Sequence, residues 1–100
     1  MPKVSVTVPH DKQPNEALDI VQPALEKTVR DFQGRDLEVD WQDTSGTFSF
    51  KSMAFTIKGN VAIGNDDVVV DIDLPFAAIM FKEKAEKAVK KNISRAFEQA

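Results

Sequence analysis

The sequence has no cysteine, only one histidine, one tryptophan and four glycines among its 100 residues. Without cysteine there can be neither a disulfide nor a thiolate metal site, and a reducing compartment fits. With His10 as the sole histidine, a histidine-based metal cluster is excluded within one chain. The four glycines form no phosphate-cradling loop. Long apolar runs are also missing. The longest, Leu74 to Phe81, spans eight residues and contains Pro75, whereas a membrane-spanning helix needs about 20. The first ten residues, MPKVSVTVPH, lack the apolar run of a signal peptide. The expected location is therefore the cytoplasm, with no membrane span.

What is present is enough for one core. Hydrophobic residues make up 42% and charged residues 29%, a balance that argues against disorder and predicts a single domain over residues 1–100. The net charge of −3 conceals an asymmetry. Residues 1–81 carry 7 Lys/Arg against 13 Asp/Glu, whereas residues 82–100 carry 6 against 3. An acidic body thus ends in a basic segment.

Apolar spacing assigns the elements. Val4, Val6 and Val8 alternate with Lys3, Ser5 and Thr7, the signature of a half-buried strand. From Asn15 the spacing becomes helical, with Leu18, Val21, Leu25, Val29 and Phe32 on one face and Gly34 as the expected stop. Pro23 falls inside this run, which predicts a kink or a helix that begins only near Val21. Leu37, Val39 and Trp41 alternate with acids, and Asp43 to Gly46 reads as a turn. Phe48 and Phe50 define a third strand. Met53, Phe55, Ile57, Val61 and Ile63 share the parity of a fourth, and Val68, Val70, Ile72 and Leu74 that of a fifth after the turn Gly64 to Asp67. A last helix gathers Ala78, Phe81, Ala85, Ala88, Val89, Ile93, Ala96 and Phe97 into one stripe.

Strands with one apolar and one polar face, joined by short turns, favour antiparallel pairing over a parallel sheet covered on both sides. The predicted fold is α+β, a two-layer, five-stranded antiparallel sheet with both helices on one face, in the order β-α-β-β-β-β-α.

No residue pattern carries catalysis or a metal. His10 reads as a surface or capping residue, and no nucleophile-elbow sequence accompanies it. Asp71 and Asp73, like Asp36, Glu38 and Asp40, share one face of their strand. Strand alternation on a wet face produces that pattern by itself, and Lys51 and Lys58 on neighbouring strands are placed to pair with the acids. Asn65-Asp66-Asp67 reads as turn chemistry and lacks the spaced ligands of a calcium loop. Asn92-Ile-Ser94 matches a glycosylation acceptor by chance. The basic helix, interrupted by Glu83, Glu86 and Glu98, is a weak electrostatic footprint, so no nucleic-acid partner is expected. Catalytic residues, metal ligands and cofactors are thus all predicted as none.

The informative segment is Leu74-Pro-Phe-Ala-Ala-Ile-Met-Phe81. In a helix begun near Pro75, Phe76 and Met80 point away from the core stripe, in line with Lys84 and Lys87. An apolar tip beside lysines suits docking to lipid, polymer or a partner. Alternatively, the first helix or the 9–14 loop folds over it.

The opening Met1-Pro-Lys-Val-Ser-Val6 with His10, Glu16-Ala17, Trp41, Phe48-Ser-Phe50, Gly59 and Leu74-Pro-Phe-Ala-Ala78 together resemble the small polyhydroxyalkanoic acid system proteins, the granule-region family, over essentially the whole chain. That resemblance implies a bacterial cytoplasmic protein associated with polyhydroxyalkanoate storage granules, and it implies no enzymatic activity. The expectation is a non-enzymatic accessory protein that touches a granule or another hydrophobic surface through Phe76, Ile79 and Met80, with Lys84 and Lys87 meeting anionic groups. The alternatives are a small helix-grip-like binder of a lipid or acyl ligand, in which Trp41 emission would respond to fatty acids, and a homodimer that buries Phe76 and Met80 against each other.

Overall fold

The computed structural model describes residues 3–100; Met1 and Pro2, which open the resembled motif, lie outside the described residues. Five strands, β1 (Lys3–Pro9), β2 (Gly34–Gln42), β3 (Ser45–Ser52), β4 (Phe55–Ile63) and β5 (Asp67–Asp73), form one antiparallel sheet in the order β1-β5-β4-β3-β2. Helix α1 (Pro14–Asp31) follows β1, and a 3-10 helix (Phe76–Phe81) leads into α2 (Lys82–Glu98) after β5. The element order and the α+β class are those the spacing predicts.

Register explains why alternation is so clean. Val4, Val6 and Val8 pair with Ile72, Val70 and Val68, and all six side chains are buried. One-residue slippage would turn every one of them to solvent. The same face takes Phe48 and Phe50 from β3 and Ile57, Val61 and Ile63 from β4. Against it lie Ala17, Val21, Leu25 and Val29 of α1 and Ala85, Val89 and Ile93 of α2, in one continuous core.

Five local expectations need correction. Helix α1 begins at Pro14, not near Val21, and continues unbroken past Pro23 to Asp31. Pro14 in the first turn gives up an N–H that would have no intrahelical partner there anyway. Pro23 and Asp19 both face solvent, so the carbonyl that Pro23 leaves unbonded is open to water. Pro23→Ala restores that bond and removes the ring. It is expected to stabilise the protein by about 1–2 kcal/mol after the lost rigidity of the unfolded chain is counted. Thermal unfolding would show a midpoint rise of roughly 5–15 °C; an unchanged or lower midpoint would show that the helix has adapted to the ring.

Gly34 does not terminate α1 by turning left-handed. Gln33 does so, at φ 55°. Gly34 is instead the first residue of β2, where a Cβ would lie 2.5 Å from Val29 Cγ1 and 2.9 Å from the Val29 carbonyl oxygen. The helix and strand approach too closely there for any side chain.

Strand β2 is not regular. Its register shifts between Arg35 and Glu38, and Asp36 sits at φ 57°, a β-bulge that takes Asp36 out of the alternation. Met53 is not a core strand residue either. With Ala54 it forms the β3–β4 turn at φ 55°, and its side chain is exposed. The parity of Met53 and Phe55 continues across a two-residue turn, which is why alternation alone misplaces it.

The acids of the polar face do not pair with Lys51 or Lys58. Among the described residues the salt bridges within 4 Å are Lys3–Asp73 at 4.0 Å and Lys27–Asp31 at 3.0 Å. Lys58 stands opposite Asp73 in the β4–β5 register, yet the contact to Asp73 comes from Lys3 on the other side.

Candidate binding site

The site grows from the end of β5. Leu74 is the last buried residue of that strand's parity, and Pro75 at φ −60° and ψ 150° turns the chain away from the sheet. The Ala78 N–H donates to the Pro75 carbonyl at 2.9 Å, an i→i+3 bond that winds the next residues as a 3-10 helix. At three residues per turn, positions i and i+3 eclipse. Ala78, which is buried, and Phe81, half-buried, therefore face inward together, while Phe76 and Ile79 share the outer side. An α-helical wheel places Ile79 less clearly; the tighter winding puts it outside.

The consequence is an uncovered apolar tip. Phe76 is 71% exposed, Ile79 51% and Met80 77%, and Met53 in the β3–β4 turn is 62% exposed. Neither α1 nor the 9–14 loop folds over Phe76 and Met80. Exposure of this much apolar surface in one turn is unusual for side chains that elsewhere find the core.

Beneath the tip, a cavity of about 190 Å³ opens between the sheet and the helices. Its walls are apolar, from Leu25 and Val29 of α1, Phe50 and Ile57 of the sheet, and Leu74 and Ala85. Phe81, Met53 and Lys84 also line it, so the exposed turn, the β3–β4 turn and the start of α2 meet at one opening. The Lys84 ammonium lies 5.9 Å from the centroid of the Phe32 ring, near cation–π range. Of the residues singled out in sequence, Lys84 thus stands at the cavity. Lys87 is exposed on α2, and Phe76, Ile79 and Met80 form the tip outside the cavity.

Trp41 is not part of this region. It is absent from the cavity wall and sits on β2 against Gly46, where a Cβ would come within 2.8 Å of the indole. Its emission is accordingly a poor reporter of anything that enters the cavity.

Two polar features were missed by sequence reasoning or given another meaning. Asn92, matched in sequence to a glycosylation acceptor, is buried between the helices. Its side-chain amide donates to Thr28 Oγ1 at 2.8 Å and to Asp31 Oδ2 at 3.1 Å. Thr28 in turn donates to the Ala24 carbonyl at 2.8 Å. The hydrogen bond from the Asn92 amide, and then that from the Lys27 ammonium, hold the Asp31 carboxyl below its usual range. A signal existed: Asn92 lies three residues after Val89 on the apolar stripe, and Thr28 three after Leu25. His10 also has both ring nitrogens engaged. Nε2 donates to the Gly64 carbonyl at 2.9 Å and Nδ1 accepts the Lys12 N–H at 3.1 Å, while the ring stacks on Phe97 with centroids 5.2 Å apart. It ties the end of β1 to the β4–β5 turn and to α2, a structural role close to the capping one expected.

Among solved structures the chain resembles that of Ara h 8.0201, at 8% identity and a TM-score of 0.50 over 99% of both chains, a likeness of fold alone. It also resembles the TTHA0849 protein from Thermus thermophilus, at 11% identity and a TM-score of 0.40, covering 97% of this chain and 92% of that one. No curated protein matches the sequence. A family model described as "Putative polyhydroxyalkanoic acid system protein" matches residues 4–97, and the chain belongs to that family.

Proposed function

From that membership and the exposed turn we propose that the protein is a non-enzymatic accessory of the polyhydroxyalkanoate system. In this reading it works in the bacterial cytoplasm and attaches to the granule surface through Phe76, Ile79 and Met80. The observation that carries the reading is the exposure of those three side chains in one 3-10 turn. Lys84 and Lys87 follow on α2, within its basic segment, and are available to anionic groups at the polymer surface. The absence of catalysis is supported by the engagement of the sole histidine, whose ring nitrogens both serve the loop. No described helix is long and apolar enough to cross a membrane, so attachment would be peripheral.

Burying side chains of this kind is worth about 1.5–3 kcal/mol each, enough for reversible attachment. The test is co-sedimentation of the protein with polyhydroxyalkanoate granules at low and high salt. Phe76→Ser/Met80→Ser, at positions exposed enough to leave the core intact, is expected to lower the bound fraction at least about tenfold. Wild-type binding should survive high salt. A well-folded wild type that stays in the supernatant would sink the proposal; if it also sedimented as a tight dimer in solution, the tip would instead serve contact between copies.

A further inference from the structure

We infer that the cavity beneath the tip binds a short alkanoate, its chain inside and its carboxylate at Lys84. Granule attachment uses Phe76, Ile79 and Met80 on the outer side of the same turn, and the two readings share only Lys84. Three observations carry it.

The first is volume. At about 190 Å³ the cavity is larger than the ~150 Å³ engineered site that accepts benzene, so a chain of about six carbons fits and a long lipid does not. Ala78 and Ala85 keep it open, since either position could carry a larger apolar residue that would fill it. The second is the wall. Leu25, Val29, Phe50, Ile57, Ile72 and Leu74 make most of the wall apolar, and the Thr28 and Ser52 hydroxyls that also line it already donate to the Ala24 and Phe32 carbonyls, which favours an alkyl chain. The third is the charge at the opening. Lys84 has no carboxylate within 4 Å among the described residues, and its ammonium lies 5.9 Å from the centroid of the Phe32 ring. Asp31, the acid that also lines the cavity, is already bonded to Lys27 at 3.0 Å and to Asn92 at 3.1 Å. The free charge there is positive, so the ligand head is an anion.

The experiment is titration of the protein with butanoate, hexanoate, octanoate and dodecanoate, read by NMR shifts of side-chain methyls. Shifts are expected at Leu25, Val29, Ile57 and Ile72, with affinity rising about fourfold per methylene from butanoate to hexanoate and levelling off beyond it. Hexan-1-ol tests the head group: it is expected to bind about two- to fivefold more weakly than hexanoate, and Lys84→Gln to abolish that difference. Ala85→Leu is expected to remove the shifts while keeping the fold. Should that variant not fold, Ala78→Val narrows the same cavity. Phe76→Ser/Met80→Ser should leave the titration unchanged, so failure of granule attachment and failure of ligand binding are told apart. Absent methyl shifts at millimolar hexanoate, or shifts that persist in a folded Ala85→Leu, would overturn the site. Equal binding of hexanoate and hexan-1-ol would overturn its anion selectivity.

Discussion

Gly59→Ala is expected to destabilise the protein by about 2–3 kcal/mol, lowering the thermal midpoint by roughly 10–20 °C. Gly59 lies on β4, the central strand, with its missing side chain directed to the core face. A Cβ there would stand 2.5 Å from the carbonyl oxygen of Asp71 and would overlap the Phe48 ring. The ring can tilt, because Phe48 borders the cavity, but the Asp71 carbonyl belongs to a paired neighbouring strand. Where space exists, Gly→Ala usually stabilises by about 0.4–1 kcal/mol through the unfolded chain. The sign of the change therefore decides the matter. If the Phe48 contact is the main term, Phe48→Leu should recover part of the loss in the double variant, and a purely additive cycle would place the strain in the backbone.

Asn92→Ala is expected to cost a similar amount, about 2–3 kcal/mol, in spite of alanine's better helix propensity of up to ~0.7 kcal/mol. The amide joins Thr28 to Asp31 across the two helices, and its loss leaves a buried hydroxyl and a carboxylate each short of a donor. The change also has a pH signature. Asp31 is more acidic folded than unfolded, chiefly through Asn92. The unfolded chain then binds more protons in the acid range, so stability rises with pH there. This contribution is complete above the ordinary carboxylate value of 3.8 and is lost as pH falls through the lowered one. Denaturant unfolding at several pH values should show a smaller acid-side loss for Asn92→Ala than for the wild type. Identical pH profiles would mean that Asn92 does not govern Asp31.

The strands were legible because burial on one face leaves a period of two that little else produces. Val4 to Val8 and Val68 to Leu74 are read from the sequence without ambiguity. Boundaries failed where backbone conformation, not burial, decides them. Gln33, Asp36 and Met53 adopt positive φ without being glycine, and no spacing announces that. The apolar tip was legible as far as Phe76 and Met80, since Pro75 fixes where the turn starts. Ile79 as a contact residue and Phe81 in the core stripe were also legible, but the 3-10 winding that places them was not. The cavity was foreshadowed only by the helix-grip alternative, and no spacing in the sequence gives its walls. Ala78 and Ala85 line it together with Phe50 and Ile57, and its width depends on how far α2 stands from the sheet. The Asn92–Thr28 pair lies between these cases: each residue breaks an apolar stripe, and only together do they make sense.

The bulge in β2 bears on how copies of this protein meet. Strand β2 closes one side of the sheet, and an outermost strand offers its free amides and carbonyls to any passing chain. Here the left-handed Asp36 breaks the straight run a foreign strand would need, and Glu38 and Asp40 would set like charge against like in a two-fold pairing. At the opposite side β1 ends in Pro9, which has no amide to give. Growth of the sheet from molecule to molecule, the usual path to fibrils, is thus obstructed at both rims. A protein crowded onto a polymer surface by its apolar turn would reach high local concentration, and such rims let it do so without joining its neighbours.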